Sequence, residues 1–387
     1  MHIGVDATCW HNRRGYGRHA RALLKSLVAM DSTNRYTFFL DSTENAEPLP
    51  PRADLRLLAA SVPAAVAASA HSHRSLQDLW RASTAMSAPG FDLLLFPTIY
   101  SYTPVFSAAK KLVMIHDVIA ETYPQLTLPR TAARMFWKIK TALGRMQANA
   151  IVTVSEYSRQ CILERFRLSP DRVFTVGEAS DPIFRVLPEG ATSARLASLG
   201  LMCGSRLITY VGGFNPHKNL EALIASFALI AGQPAYGDVR MVMVGDYEKE
   251  VFHSYFGTIS DLVTRAAIRD RVVFTGFLPD EDLVVLLNRS ELLVLPSLME
   301  GFGLPAVEAA ACGCPVVASK ASPLPELLGE GGIFVDPTPE ALHSAITKIL
   351  DAPALRARMS HAAAEAASRL TWEAAARQMI DVMQKVM

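Results

Sequence analysis

Along the chain, short apolar runs bounded by turn or charged residues alternate with stretches whose apolar positions recur at helical spacing. In the first half, residues 2–5, 36–40, 93–96, 112–115 and 151–154 are rich in β-branched and large apolar side chains and read as buried strands. Between the first two, residues 18–30 carry Ala20, Leu23, Leu24, Leu27 and Val28 on one helical face. Strand, helix and strand in succession predict a parallel crossover. The second half repeats the pattern, with strands expected at 207–211, 240–244, 272–274, 292–295, 315–318 and 333–335 and helices at 220–230 and 282–288. This is an α/β chain of two doubly wound, Rossmann-like domains, spanning residues 1–185 and 200–370. Residues 181–201, with Pro182, Pro188 and Gly190, read as the linker. Ligands of such sheets bind beyond the carboxyl ends of the strands, so two of them face to face would enclose a central cleft.

Composition narrows the classes. A chain of 387 residues fits two domains of about 150 or more residues each. With 38 Lys plus Arg against 37 Asp plus Glu it is neither a globally basic nucleic-acid binder nor a disordered polyelectrolyte. The balance hides an asymmetry: 22 basic against 15 acidic residues through Arg185, a net of +7, and 16 against 22 beyond it, a net of −6. The opening MHIGVDATCW places Asp6 where a signal peptide needs an apolar run, and reads as a first strand. Residues 57–73, an apolar stretch free of Asp, Glu, Lys and Arg that no other exceeds in length, contain Ser61, Pro63 and Ser69 and are too short to span a bilayer. Five cysteines, Cys9, Cys161, Cys203, Cys312 and Cys314, form neither a disulfide framework nor a zinc-knuckle spacing, which fits the cytoplasm.

Candidate chemistry concentrates in LPSLMEGFGLPAVEAAACGCPVVAS, residues 295–319. A strand ends at Leu295, a loop carries Glu300, Gly301, Phe302 and Gly303, and a helix opens near Leu304 and Pro305, holds Glu308 and stops at Gly313. Backbone N–H groups at such a helix start lack internal partners and can receive a polar ligand. Glu300 would meet that ligand from the loop, and Glu308 could accept bonds from vicinal hydroxyls such as those of a ribose. Taken alone, the stretch is equally a strand-turn-helix with two acids placed by the helix dipole.

The spacing E-x7-E within PS-x-x-EGFGLP-x-x-E-A-x-A-x-G-x-PVVAS resembles the retaining nucleotide-sugar glycosyltransferases of the GT-B fold, in glycosyltransferase family 4. The resemblance runs on through GYGRHARALL at 15–24, IHDVIAETYP at 115–124, VSEYSR at 154–159, YVGGFNPHKN at 210–219, MVMVGD at 241–246 and FTGFLPDEDL at 274–283. It implies a hexosyl transfer with retention of configuration through an oxocarbenium-like state, with no metal and no cofactor. The departing diphosphate can itself take the acceptor proton, which leaves Glu300 to position donor hydroxyls rather than act as nucleophile. Lys218, after the turn through Gly212 and Gly213, would stabilise the departing diphosphate; a positioned cation in a partly dry site is worth several kcal/mol. His217 stands where many relatives have Arg. A charged His217 would make donor binding weaken as pH rises through its pKa. The resemblance also makes Gly17, with Gly15 before it, a contact to the donor diphosphate, sets His116 of the His116-Asp117 pair beside the reacting sugar, and puts Leu278 near the nucleobase. Without it, His116 reads as a histidine satisfied by a neighbouring carbonyl and the His217-Lys218 pair as a solvated turn. General likeness to bacterial mannosyltransferases points to GDP-mannose, with UDP-glucose or another UDP-sugar as the alternative, and to a surface glycan or its lipid-linked precursor as acceptor. The last helix, residues 372–386, crosses back onto the first domain in this family.

Other classes fit less well. A nucleotide-sugar epimerase or hydrolase shares the architecture; a non-catalytic sugar-binding subunit would not need Lys218, Glu300 and Glu308. No Gly-x-Gly-x-x-Gly follows the first strand, since Gly15-Tyr16-Gly17 is followed by Ala20, which argues against a nicotinamide dehydrogenase. Two acids on one loop-helix segment do not flank a bond as a glycosidase requires. Asp280, Glu281 and Asp282 read as an N-cap and acidic first turn rather than a metal site. Residues 122–155 contain Arg130, Arg134, Lys138, Lys140 and Arg145 and no acid, with Met135, Phe136, Ile139, Leu143 and Met146 at helical spacing. Such a segment, within 128–147, either lies on an anionic membrane or packs its apolar face on the core.

Overall fold

The structure, a computed structural model, describes residues 1–12, 15–42, 47–61, 75–202, 204–247 and 255–387; Cys203 and most of the 57–73 stretch lie outside the described residues. The chain divides into two compact units, residues 1–178 with 371–387, and residues 179–370.

In the first unit seven strands, β1 His2–Asp6, β2 Arg35–Leu40, β3 Ala53–Leu57, β4 Leu93–Phe96, β5 Lys110–Met114, β6 Ala150–Thr153 and β7 Val173–Thr175, form one sheet in the order β3-β2-β1-β4-β5-β6-β7, every pair parallel. Ile3, Val5, Leu93, Leu95 and Phe96 are fully buried, as expected for strands covered on both faces. The edge strands β3 and β7 escape the apolar pattern. β3 reads ADLRL with Leu55 and Leu57 exposed, and its neighbour is held by the Arg35–Asp54 ion pair at 2.7 Å. β5 begins two residues ahead of expectation because Lys110 and Lys111 pair with Leu93 and Leu94, and the buried Lys111 ammonium is satisfied by the carbonyls of Ser107 and Ala109 at 2.8 and 2.9 Å.

The first helix, Gly15–Met30, starts three residues before expectation, so Gly17 sits inside its first turn. A Cβ on Gly17 would lie 2.0 Å from the Asn12 carbonyl oxygen, whereas one on Gly15 meets nothing within 4 Å. The chain itself therefore requires glycine at 17 and not at 15. The last helix, Trp372–Val386, packs on Gly15–Met30, burying Ala375, Ala376, Met379, Val382 and Met383, and Gln378 accepts the Gly177 N–H at 2.9 Å.

The helix Thr131–Gln147 corrects one of the two readings of the basic segment. Its buried residues are Thr141 and Gly144, while Met135, Phe136, Ile139 and Met146 are each more than half exposed. Gly144 lets the helix approach so closely that a Cβ there would stand 2.6 Å from Ile99. The small residues face inward, and the apolar stripe is not a core face.

The second unit holds six strands, β8 Arg206–Val211, β9 Val239–Val244, β10 Val272–Gly276, β11 Ser290–Leu295, β12 Val316–Ser319 and β13 Gly332–Val335, in the order β10-β9-β8-β11-β12-β13, again all parallel. Residues 181–201, expected as a linker, belong to this unit. Leu196 is fully buried, the Leu187 N–H donates to Asn288 at 2.8 Å, and Ser193 donates to Asp282 at 2.7 Å. Prolines and glycine there shape a packed strap rather than a flexible tether. The helix Asp280–Arg289 has Pro279 as its N-cap, not Asp280, so the acids act through the first turn and, for Asp282, through Ser193.

Gly17→Ala is expected to destabilise the fold by about 1–3 kcal/mol, the usual cost of forcing a methyl into a filled site, and Gly15→Ala to change stability little. Urea-unfolding midpoints of the two variants check this.

Candidate active site

Both sheets reverse their winding between central neighbours, β1 and β4 in one unit and β8 and β11 in the other. At such a switch the loops beyond the two strands diverge and leave a crevice. In the second unit those loops are 212–219 after β8 and 296–303 after β11.

The two loops are tied together by backbone and side chain. Asn219, in left-handed conformation with φ of 54°, donates from Nδ2 to the carbonyls of Pro296 and Pro337 at 3.1 and 2.8 Å. The Leu298 N–H donates to the His217 carbonyl at 3.0 Å. These bonds fix the short turn Pro216–Lys218 so that Lys218 Nζ donates to Glu300 Oε1 at 2.7 Å, where Ser297 Oγ also donates at 2.6 Å. The Glu300 N–H in turn reaches the Ala321 carbonyl at 3.1 Å. Burial alone would raise the Glu300 pKa, but the Lys218 charge and the two donated bonds outweigh it and hold the carboxyl below its usual range. Glu300 is therefore an ionised, buried carboxylate with both of these bonds on one oxygen, leaving Oε2 as an acceptor, and Lys218 keeps two further N–H donors.

Beside this pair, Gly303 takes a left-handed conformation with φ of 88° and caps the helix Leu304–Ala311 without a side-chain bond. Its carbonyl receives the N–H groups of Ala306 and Val307 at 2.9 and 3.3 Å. The amides of Gly303 and Leu304 find no acceptor among the described residues. Gly301 and Phe302 are buried in the same loop, and Glu308 is buried one turn into the helix. On the other side, the Tyr210 hydroxyl donates to the Gly213 carbonyl at 2.6 Å, holding the turn after β8. Leu278 is buried beyond β10 and, among the described residues, makes no hydrogen bond that joins it to this cluster.

His217 departs from expectation. Burial first, then the Lys218 charge, push its pKa down to about 4 against the opposing pull of Glu300, so the imidazole is neutral at physiological pH. It does not replace the permanent charge of an arginine.

In the first unit His116 follows β5. Its imidazole is met by another ring rather than by the carbonyl that an isolated reading suggests: Nε2 lies 3.2 Å from His19 Nδ1, which lies 3.5 Å from Glu178 Oε1. The two rings stand perpendicular with centroids 4.9 Å apart, and Trp372 stacks on His19 at 5.6 Å. Burial lowers both histidine pKa values, His116 to about 4 and His19 well below its ordinary value. Asp117 accepts the Ile119 N–H at 2.9 Å and so shapes the chain after His116. His19 and Glu178 were not singled out in the sequence. His19 does carry a signal, a histidine on the apolar face of the first helix beside Ala20 and Leu23; Glu178 carries none. Among the described residues, His19, His116 and Glu178 are also the one group whose donor atoms, all within 4.8 Å of one another, come close enough to hold a metal ion.

The three neutral histidines set a pH dependence. Each binds a proton more weakly in the fold than at the ordinary value of 6.5, so the unfolded chain takes up more protons between about pH 6.5 and 4. Stability is then level above about pH 7 and falls as pH drops through that window, with Glu300 adding its own loss as pH falls through its lowered pKa. Unfolding midpoints measured from pH 8 to 4.5 check this, and His19→Asn should flatten the fall. A midpoint independent of pH would contradict neutral burial.

A family model described as "Glycosyl transferases group 1" matches residues 197–366. The chain is 31% identical over 274 residues to the O-antigen chain mannosyltransferase B of Escherichia coli, covering 69% of this chain and 68% of that protein. It is 31% identical over 266 residues to the serotype-specific mannosyltransferase WbdA of E. coli, covering 68% of this chain and 32% of WbdA. It thus spans about a third of WbdA. Among solved structures, sucrose-phosphate synthase from Thermosynechococcus elongatus superposes with a TM-score of 0.78 at 22% identity, over 100% of this chain and 99% of that one. Two parallel Rossmann-like sheets in the order seen here are the GT-B architecture, and with a relative that similar over most of its length the chain belongs to the group 1 glycosyl transferases.

Proposed function

We propose that this glycosyltransferase moves a mannosyl group from GDP-mannose to a surface glycan or its lipid-linked precursor, with retention of configuration and without a metal. The observation that carries the reading is the Lys218–Glu300 pair at 2.7 Å beside the open amides of Gly303 and Leu304, at the switch point of the second sheet. A cation and helix-start N–H groups suit a diphosphate, and an ionised carboxylate with a free oxygen suits sugar hydroxyls. The mannose assignment is supported by the relatives named as mannosyltransferases.

In this reading the bond between the anomeric carbon and the diphosphate oxygen breaks while the acceptor oxygen bonds the same face of that carbon. The acceptor proton passes to the departing diphosphate, whose developing charge Lys218 stabilises. Glu300 holds donor hydroxyls, Glu308 the ribose, His217 lines the site as a neutral donor or acceptor, and Gly213, Gly301, Phe302 and Leu304 shape the pocket wall. Leu278 lies against the base, His116 contacts the transferred sugar, and Gly15 and Gly17 admit the diphosphate. For Gly17 the contact with Asn12 is a sufficient reason for glycine, so Gly15 is the sharper test of that role.

No helix among the described residues is long and apolar enough to cross a membrane. The helix Thr131–Gln147, with its exposed apolar stripe and cations, supports a peripheral contact with the anionic cytoplasmic leaflet, where a lipid-linked acceptor would be met.

GDP should raise the melting temperature more than UDP or ADP; a ligand bound only by the native state at 100 times its Kd adds about 2.7 kcal/mol. Lys218→Met should abolish that shift, and because it strands a buried carboxylate, the double variant with Glu300→Gln should recover stability but not binding. Glu300→Gln alone should lower turnover about 100-fold or more, and EDTA should change nothing. No shift with any nucleotide, or full turnover without Glu300, overturns the reading.

A further inference from the structure

The first unit contains a cavity of about 430 Å³ that the proposed reaction does not use. It lies between the helix Thr131–Gln147 and the helix Glu156–Phe166, and its walls carry Arg134, Lys138, Arg145 and Arg165 against a single acid, Glu121. That volume falls within the range of about 300–1,000 Å³ usual for small-ligand sites.

The three arginines are held in place, and none of the four cations is neutralised. Arg134 donates to the carbonyls of Leu128 and Pro129 at 3.3 and 3.1 Å and to Thr131 Oγ1 at 3.0 Å. Arg165 donates to the Glu121 carbonyl at 3.0 Å. These acceptors are neutral, and none of the four makes an ion pair with a carboxylate among the described residues. Arg145 lies over the Phe166 ring at 3.7 Å, and its Nη1 is buried without any acceptor. A buried guanidinium N–H left unpaired costs free energy, and a turn of the Arg145 guanidinium onto an anion in the cavity would recover it. Burial, with Arg165 nearby, weighs against the Arg145 charge, and only Glu121 supports it. Glu121 is a weak counter-charge: burial raises its pKa, and its Oε1 is already occupied by the Trp137 indole N–H at 2.7 Å.

Position on the helix indicates the source of the anion. Residues 134, 138, 141 and 145 recur at helical spacing on the cavity side. Met135, Ile139 and Met146 follow on the adjoining face and are 57%, 54% and 79% exposed. A helix lying in a membrane interface sinks such a face about 5–10 Å into the headgroup boundary, which brings a neighbouring rim of cations to phosphate level. We propose that this cavity binds the phosphate of an anionic phospholipid headgroup, with Arg145 as its buried donor and Arg134, Lys138 and Arg165 around it. The proposal rests on the reading of the helix as a membrane contact and adds to it a defined headgroup site.

Flotation of the full chain with phosphatidylcholine vesicles, with and without 30% phosphatidylglycerol, tests both. Wild type should float with the anionic vesicles and show an emission change that Trp137→Phe abolishes. Arg145→Gln and Lys138→Gln should each weaken binding tenfold or more and remove the change. Lys138 is exposed and makes no bond that folding needs, so it keeps the test open if Arg145→Gln fails to fold. Arg130→Gln, on the same segment but outside the cavity, should weaken binding only about fivefold, as for any surface cation. Equal losses for all variants without a Trp137 response would overturn the headgroup site and leave the membrane contact standing. No flotation of wild type would overturn both. A Trp137 response to soluble glycerol 3-phosphate without flotation would show a free phosphate ester as the occupant and overturn the lipid assignment.

Discussion

The parallel pairing of β8 with β11 is the constraint on which the rest of the second unit's chemistry depends. These strands are neighbours in the sheet but far apart in sequence, and the helices that follow them leave toward opposite faces. Two loops are thereby delivered to one edge with no covalent reason to be near each other. Asn219 converts that proximity into fixed geometry, because its left-handed backbone turns the chain from Pro216–Lys218 into the helix Leu220–Ala231 while its amide spans two carbonyls of other loops. Only then does the Lys218–Glu300 contact form, across 82 positions of chain. The ion pair is a product of the topology and contributes little to holding it. Its desolvation cost is largely offset by mutual attraction and by Ser297, which fits a group kept for chemistry rather than stability.

Charge is rationed in both clusters. Glu300 stays ionised because a cation and a hydroxyl compensate its burial, while three histidines are driven neutral because nothing compensates theirs sufficiently. His217 shows the balance most clearly: Glu300 draws its pKa up, Lys218 and burial draw it down, and the latter win. A neutral imidazole can both give and accept a hydrogen bond, whereas an arginine in that place could only give. The first unit follows the same rule with different means, since His116 is oriented by another neutral ring and by a carboxylate at 3.5 Å from that ring rather than by a full charge partner.

Much of the fold was legible because parallel strands buried on both faces leave continuous apolar runs, and the five central runs of the first unit and the six of the second stood out accordingly. β3 and β7 did not, since an edge strand such as ADLRL needs no apolar alternation when its bonds come from the neighbouring strand. The strap at 181–201 looked like a linker because proline and glycine mark turns whether or not the turn is packed; nothing local announces that Asn288 and Asp282 will meet it. In the site, Lys218 and Glu300 were each visible from spacing within one segment. Their contact was not, because it is set by strand order. His19 and Glu178 matter only through a neighbour 97 positions away for the one and through His19 for the other, and pair relations of that kind leave no local trace.

The net charge of the first half also means something different once its partners are known. Some of its cations cap helix ends from the side. Arg52 donates to the Val28 and Ala29 carbonyls at the end of Gly15–Met30, and Arg172 donates to those of Arg145 and Ala148 at the end of Thr131–Gln147. Helix carboxyl ends carry partial negative charge and unpaired carbonyls, so a guanidinium there is structural and its field is partly cancelled at source. Lys111 and Lys140 likewise turn inward to carbonyls. An excess counted from composition therefore overstates the basic surface of a doubly wound domain, because each of its many helices offers an end that a cation can close. What distinguishes the wall beside Trp137 is that its arginines also rest on carbonyls or rings, yet do so around an open volume, where their charge is not spent on a helix end alone.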